Sequence, residues 1–156
     1  MSYVYNDGGR AAAGYRGDAG DCVVRAIAIA AELPYQEVYD DLGARVKSAR
    51  QPRGRQRKVS ARDGVPRRVY QPYLEEHGWE WVSTMEIGSG CQVHLRPDEL
   101  PTGRIVARLS KHLAAVIDGV VHDTHDPSRE GTRCVYGYFR EERSGAKSSA
   151  RHSSRR

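Results

Sequence analysis

The 156-residue sequence contains no apolar run near the roughly 18 residues that a membrane-spanning helix requires. Its opening, MSYVYNDGGR, has neither the basic end nor the apolar stretch of a secretory signal. A cytoplasmic protein that does not enter membranes is the expectation. Only three cysteines are present, an odd number, so free thiols are expected rather than a disulfide framework. Internal repeats are missing, which excludes solenoids and propellers, and no alternating βαβ rhythm appears, which argues against a dinucleotide-binding sheet.

What is present fits one domain. Hydrophobic residues make up 38% and charged residues 29%, enough for a single core with substantial solvated segments. The net charge of +5 is unevenly placed: five Lys or Arg fall between Arg143 and Arg156, leaving 20 basic against 20 acidic residues in positions 1–142. Within that neutral body, Arg45 to Arg68 holds ten basic residues and only Asp63. The expected organisation is a folded domain over 1–142, a mobile basic loop over 45–64 and a disordered basic tail over 143–156.

The first twenty residues read as an extended or looping arm. CVVRAIAIAA, from Cys22 to Ala31, is apolar apart from Arg25, and its alanines together with Asp21 or Asp18 as a cap predict a buried helix. Pro34 then opens an amphipathic helix with Tyr35, Val38, Tyr39 and Leu42 on one face. PRRVYQPYLEEHGW predicts a third helix, interrupted near Pro72 and stopped at Gly78. The segments WEWV, GRIVARLS, HLAAVID, VVHDTHD and CVYGYF read as strands, with Trp79, Trp81, Tyr136, Tyr138 and Phe139 in the core or on sheet faces. Helices first and an antiparallel sheet afterwards define an α+β class.

Chemistry concentrates at Cys22. A helix start supplies partial positive charge and free N–H donors, which favour a thiolate and can steady an oxyanion. The base must come from elsewhere, and the hairpin SKHLAAVIDGVVHDTHDP offers His112, His122 and His125. With Asp118-Gly119 as a two-residue turn, pairing runs outward to Ala114 with Asp123 and His112 with His125. His112, Asp123 and His125 then share one strand face and His122 takes the other, so Asp123 becomes the diagonal neighbour that orients His112. Asp126, which precedes Pro127, is the competing acid and also suits a turn or cap.

The segments GDCVVRAIAIA and KHLAAVIDGVVHDTHD resemble those of the papain-like cysteine peptidase superfamily, and are similar to short proteins of phage and prophage type carrying both. The resemblance implies a papain-like fold with the nucleophile Cys22 opening the central helix, His112 beginning a strand and Asp123 on the next. It also implies a peptide or protein substrate and no cofactor. The superfamily's Gln upstream of the Cys has no counterpart in GYRGDAGDC. Asn6 in the arm is the candidate substitute, with Asp21 a further secondary candidate.

Two rival readings accompany this one. Cys91, His94, His122, His125 and Cys134 are zinc-ligand types, but residues three apart on a strand face opposite ways, so no metal is expected. A catalytically silent module is the other, with the basic stretch 45–68 and the tail binding nucleic acid or an acidic protein partner, although no aromatics interleave the charges.

Overall fold

A computed structural model describes residues 1–17, 19–49 and 59–142. It is a mixed α+β fold, with helices near the N-terminus followed by a multistranded sheet. The elements are β1 (Tyr3–Tyr5), α1 (Cys22–Ala31), α2 (Tyr35–Ser48), α3 (Arg67–Glu76), β2 (Trp79–Ser83), β3 (Val93–His94), β4 (Arg104–Leu109), β5 (His112–Ile117), β6 (Val120–Asp123), β7 (Cys134–Val135) and β8 (Gly137–Glu141). The main sheet has the order β1-β6-β5-β4-β8-β2, and β3 with β7 forms a separate pair.

Helix α1 is buried along almost its whole length, as its unbroken apolar run requires, and packs on β5 and β4. Asp21 stands at its N-cap position but makes no capping bond with its side chain, while Asp18 lies outside the described residues. At the other end Arg104 donates to the carbonyls of Ile29 and Ala30, at 2.9 Å each, satisfying acceptors the helix leaves open. Helix α2 buries Tyr35, Val38, Leu42 and Val46 against α1.

Two regions differ from the sequence expectation. Helix α3 runs unbroken through Pro72, because Val69, Tyr70, Tyr73 and Leu74 are buried around the proline and their packing outweighs one missing backbone bond. The basic stretch expected to loop from residue 45 is helical as far as Ser48 and re-forms order at a Ser60–Gly64 bridge, where Ala61 and Val65 are buried. Residues 50–58, and the tail 143–156, lie outside the described residues.

The sheet separates two apolar clusters. Leu113, Ala115, Val106, Trp79 and Phe139 face the helices, whereas Ala114, Val116, Val121, Ile105 and Leu109 face the opposite side, under Leu95 and Leu100. The turn between β5 and β6 is the expected two-residue one, with Ile117 opposite Val120 and positive φ at Asp118 (49°) and Gly119 (80°). The arm supplies a strand of its own: β1 pairs in parallel with β6, Tyr5 opposite Asp123, so the main sheet is mixed rather than the antiparallel sheet expected from the sequence.

Cys91 and Cys134 are joined in a disulfide with Cα atoms 5.9 Å apart, which corrects the expectation of three free thiols. The β3–β7 register sets His94 opposite Cys134 and so brings Cys91 alongside. Cys22 is the free cysteine. Among the described residues no helix is long and apolar enough to cross a membrane.

Candidate active site

The site lies where the start of α1 meets the ends of β5 and β6. Cys22 is the first residue of α1, so its own N–H and those of the next residues have no acceptor within the helix. Gly20 lets the chain just ahead of it pass close to the 60–64 turn, where an added Cβ would lie 3.0 Å from the Asp63 carbonyl oxygen. His112 opens β5, directly after Lys111, whose φ of 57° turns the chain from β4.

His112 Nε2 donates to Asp123 Oδ2 at 2.7 Å. That bond fixes the tautomer and leaves Nδ1 as the other ring nitrogen, in a cleft that Cys22 also lines. Burial by itself pushes the Cys22 thiol up, but the hydrogen bond and charge of His112, the Leu113 N–H and the Arg25 charge outweigh it and hold the thiol below its ordinary value. Burial likewise pushes His112 down, and bonding to Asp123 and Cys22 overcomes it, raising the imidazole to about 9. Burial raises Asp123, yet His112 and the Thr124 N–H bring its carboxyl below the usual value. All three shifts favour thiolate, imidazolium and carboxylate together.

Arg25 is the residue to which the sequence reading gave no role. It pairs with Asp21, four residues earlier at the N-cap of α1, and reaches Asp123 Oδ1 at 3.5 Å, with a side chain that is 10% exposed. Asp21 is further held by Arg10 at 3.2 Å and by the Tyr35 hydroxyl. The signal was visible: a single charge inside a buried apolar run, four residues after an acid. Asp21 is thereby committed to a structural network and stands apart from any reacting atom.

The remaining candidates divide. His125 stacks near His112, ring centroids 5.2 Å apart, and lines the same cleft. Asp126 accepts from the Ser128 N–H as a turn residue. Asn6 does fold back with the arm, but its amide meets His122 Nδ1 at 3.4 Å and accepts from the Gly8 N–H, so it is not among the cleft-lining residues. Neither Gln nor Asn lines the cleft among the described residues. The Cys22 N–H, at the first position of α1, is a donor that the helix leaves without an internal acceptor.

The cleft measures about 690 Å³ and is walled by the Cys22 segment, residues 59–70 and the β4–β5 turn. For metal binding, His112, Asp123 and His125 offer ligand atoms within 4.8 Å of one another. The zinc set considered from sequence is not assembled: Cys91 and Cys134 are bonded to each other, His94 pairs with Glu99 and His122 with Asn6.

Compared with known proteins, the chain matches no family model, no curated sequence and no solved structure.

Proposed function

We propose that the protein is a cysteine hydrolase of papain-like type, acting on an amide or related acyl bond. The observation that carries this reading is the hydrogen bond of His112 to Asp123 in a cleft that Cys22 also lines, with the His112 charge lowering the thiol at the start of α1. In the first step the Cys22 thiolate forms a bond to the acyl carbon and the carbonyl oxygen takes the negative charge, facing the Cys22 N–H. The His112 imidazolium then gives its proton to the leaving amine as the C–N bond breaks, leaving an acyl thioester. Water attacks that thioester with neutral His112 taking its proton, and the acid product departs as the thiolate and imidazolium are restored. Asp123 keeps the ring oriented and its cation stabilised throughout.

Acyl transfer to the thiol is directly testable. Incubation with a p-nitrophenyl ester, followed by peptide mass analysis, is expected to place one acyl group on Cys22, with faster release in the wild type than in His112→Ala. Acylation that persists unchanged in Cys22→Ala contradicts the reading.

A second reading rests on the cluster of His112, Asp123 and His125. Two imidazoles and a carboxylate with open positions suit a divalent transition metal. Such an ion would have to displace the bond between His112 and Asp123, so titration with zinc distinguishes the two. Stoichiometric binding lost in His125→Ala supports the metal centre, and its absence supports the thiol.

A further inference from the structure

The walls of the cleft carry more positive charge than the proposed chemistry uses. Arg25 is committed to Asp21 and Asp123, but among the described residues Arg67 and Arg108 meet only neutral partners and Lys111 pairs with no acid. The Arg67 guanidinium lies 4.1 Å from the Trp81 ring centroid, and its Nε donates to Gln71 Oε1 at 2.7 Å. Arg108 packs over Tyr136, its guanidinium carbon 5.6 Å from the ring centroid, and its charge acts on Tyr70. Lys111, exposed at the β4–β5 turn, makes no ion pair among the described residues. Asp63, which accepts from the Ser60 hydroxyl, is the sole carboxylate among the described residues lining the cleft.

Two of these cations rest on an aromatic face, and Arg67 is held further by its hydrogen bond to the neutral Gln71. Such anchoring orients a guanidinium without neutralising it, which leaves the fork free for a carboxylate. Resting on the proposed catalytic role of Cys22, we infer that the cleft selects acidic peptides, with an Asp or Glu side chain beside the attacked bond held by Arg67, Arg108 and Lys111. A peptide fits better than nucleic acid for two reasons. The proposed reaction cleaves an acyl bond, which a peptide backbone offers and a nucleic-acid backbone does not, and Tyr70, the tyrosine in the cleft wall, is 3% exposed and offers no open face for base stacking.

The test labels Cys22 with three tripeptidyl chloromethyl ketones identical except for Glu, Gln or Lys next to the electrophile. Alkylation is followed by intact mass, and each rate is divided by that of neutral iodoacetamide. The Glu reagent is expected to outpace the Gln reagent about tenfold, as a few close charges near a protein surface can provide, and the Lys reagent to be slowest. The preference should shrink in 0.5 M salt and in the Arg108→Gln, Lys111→Gln double variant, the salt series serving if that variant does not fold. Equal rates, or a faster Lys reagent, overturn the inference while leaving the catalytic reading intact, since iodoacetamide reports the thiolate separately. A Cys22 that no reagent labels at neutral pH overturns both. Protection of Cys22 by a single-stranded oligonucleotide but not by polyglutamate would assign the charge to nucleic acid instead.

Discussion

His112 and Asp123 meet 2.7 Å apart at the open end of the β5–β6 hairpin, and the bond joins the first residue of one strand to the last of the next. Because Asp123 engages Nε2, its removal changes both the orientation and the charge of the ring. Asp123→Ala is expected to lower the His112 pKa from about 9 towards the ordinary value near 6.5, with Asp123→Asn falling between. Titration of the His112 Cε1 proton by NMR checks this, and an unchanged pKa in Asp123→Ala would contradict the assigned role.

Arg25 separates two buried carboxylates, Asp21 and Asp123. Removing one partner of a buried pair leaves uncompensated charge, so Arg25→Met is expected to cost about 3 kcal/mol. Urea unfolding measures the loss. In Asp21→Asn, Arg25→Met the loss should be smaller than the sum of the single changes, and simple additivity would mean that Arg25 does not couple to Asp21.

Stability should depend on pH through the same residues. The folded His112 pKa is raised, so its contribution is fully present below the unfolded value near 6.5 and is lost as pH rises through about 9. Asp123 is depressed, so its contribution is present above the unfolded carboxylate range and is lost as pH falls through its folded value. The lowered Cys22 thiol acts in the opposite sense up to the unfolded thiol value of about 8.5. The midpoint of unfolding, followed from pH 6 to 10, is therefore expected to decline across the alkaline half in Cys22→Ser, which lacks that offset, and to decline less when His112→Gln is added.

The bridge between Cys91 and Cys134 closes 43 residues of sequence. Oxidised protein, denatured without reductant, is expected to titrate one thiol, at Cys22, and reduced protein three. Cys91→Ser, Cys134→Ser should lower stability by about 2–4 kcal/mol relative to the oxidised form. Three thiols in the oxidised, denatured protein would exclude the bridge.

Local signals in the sequence were enough for much of the fold and for the pairing at the site. Asp118-Gly119 defined the hairpin and its register, and that register made Asp123 the neighbour of His112. Long-range pairing was not legible in the same way. The strand β1 is only three residues long and pairs in parallel, and β3 and β7 are two residues each, too short for any periodicity. The bridge that depends on β3 and β7 was hidden with them. Strand alternation also placed His112 with Ala114 and Val116, which face away from α1. His112 nevertheless lines the cleft with Cys22, from the first position of its strand. Arg25 was visible only as an exception to an apolar run, and its two acidic partners required the folded chain.

The proposed hydrolase depends on a thiolate–imidazolium pair between Cys22 and His112, and the decisive measurement is the pH dependence of iodoacetamide labelling at Cys22. Labelling in the wild type is expected to stay rapid well below the free-thiol pKa of about 8.5, and in His112→Ala to fall by roughly tenfold or more at pH 6, each unit of thiol pKa being worth a factor of ten there. Labelling that follows an ordinary or buried thiol, and is the same in both proteins, would contradict the pair and with it the proposed hydrolase.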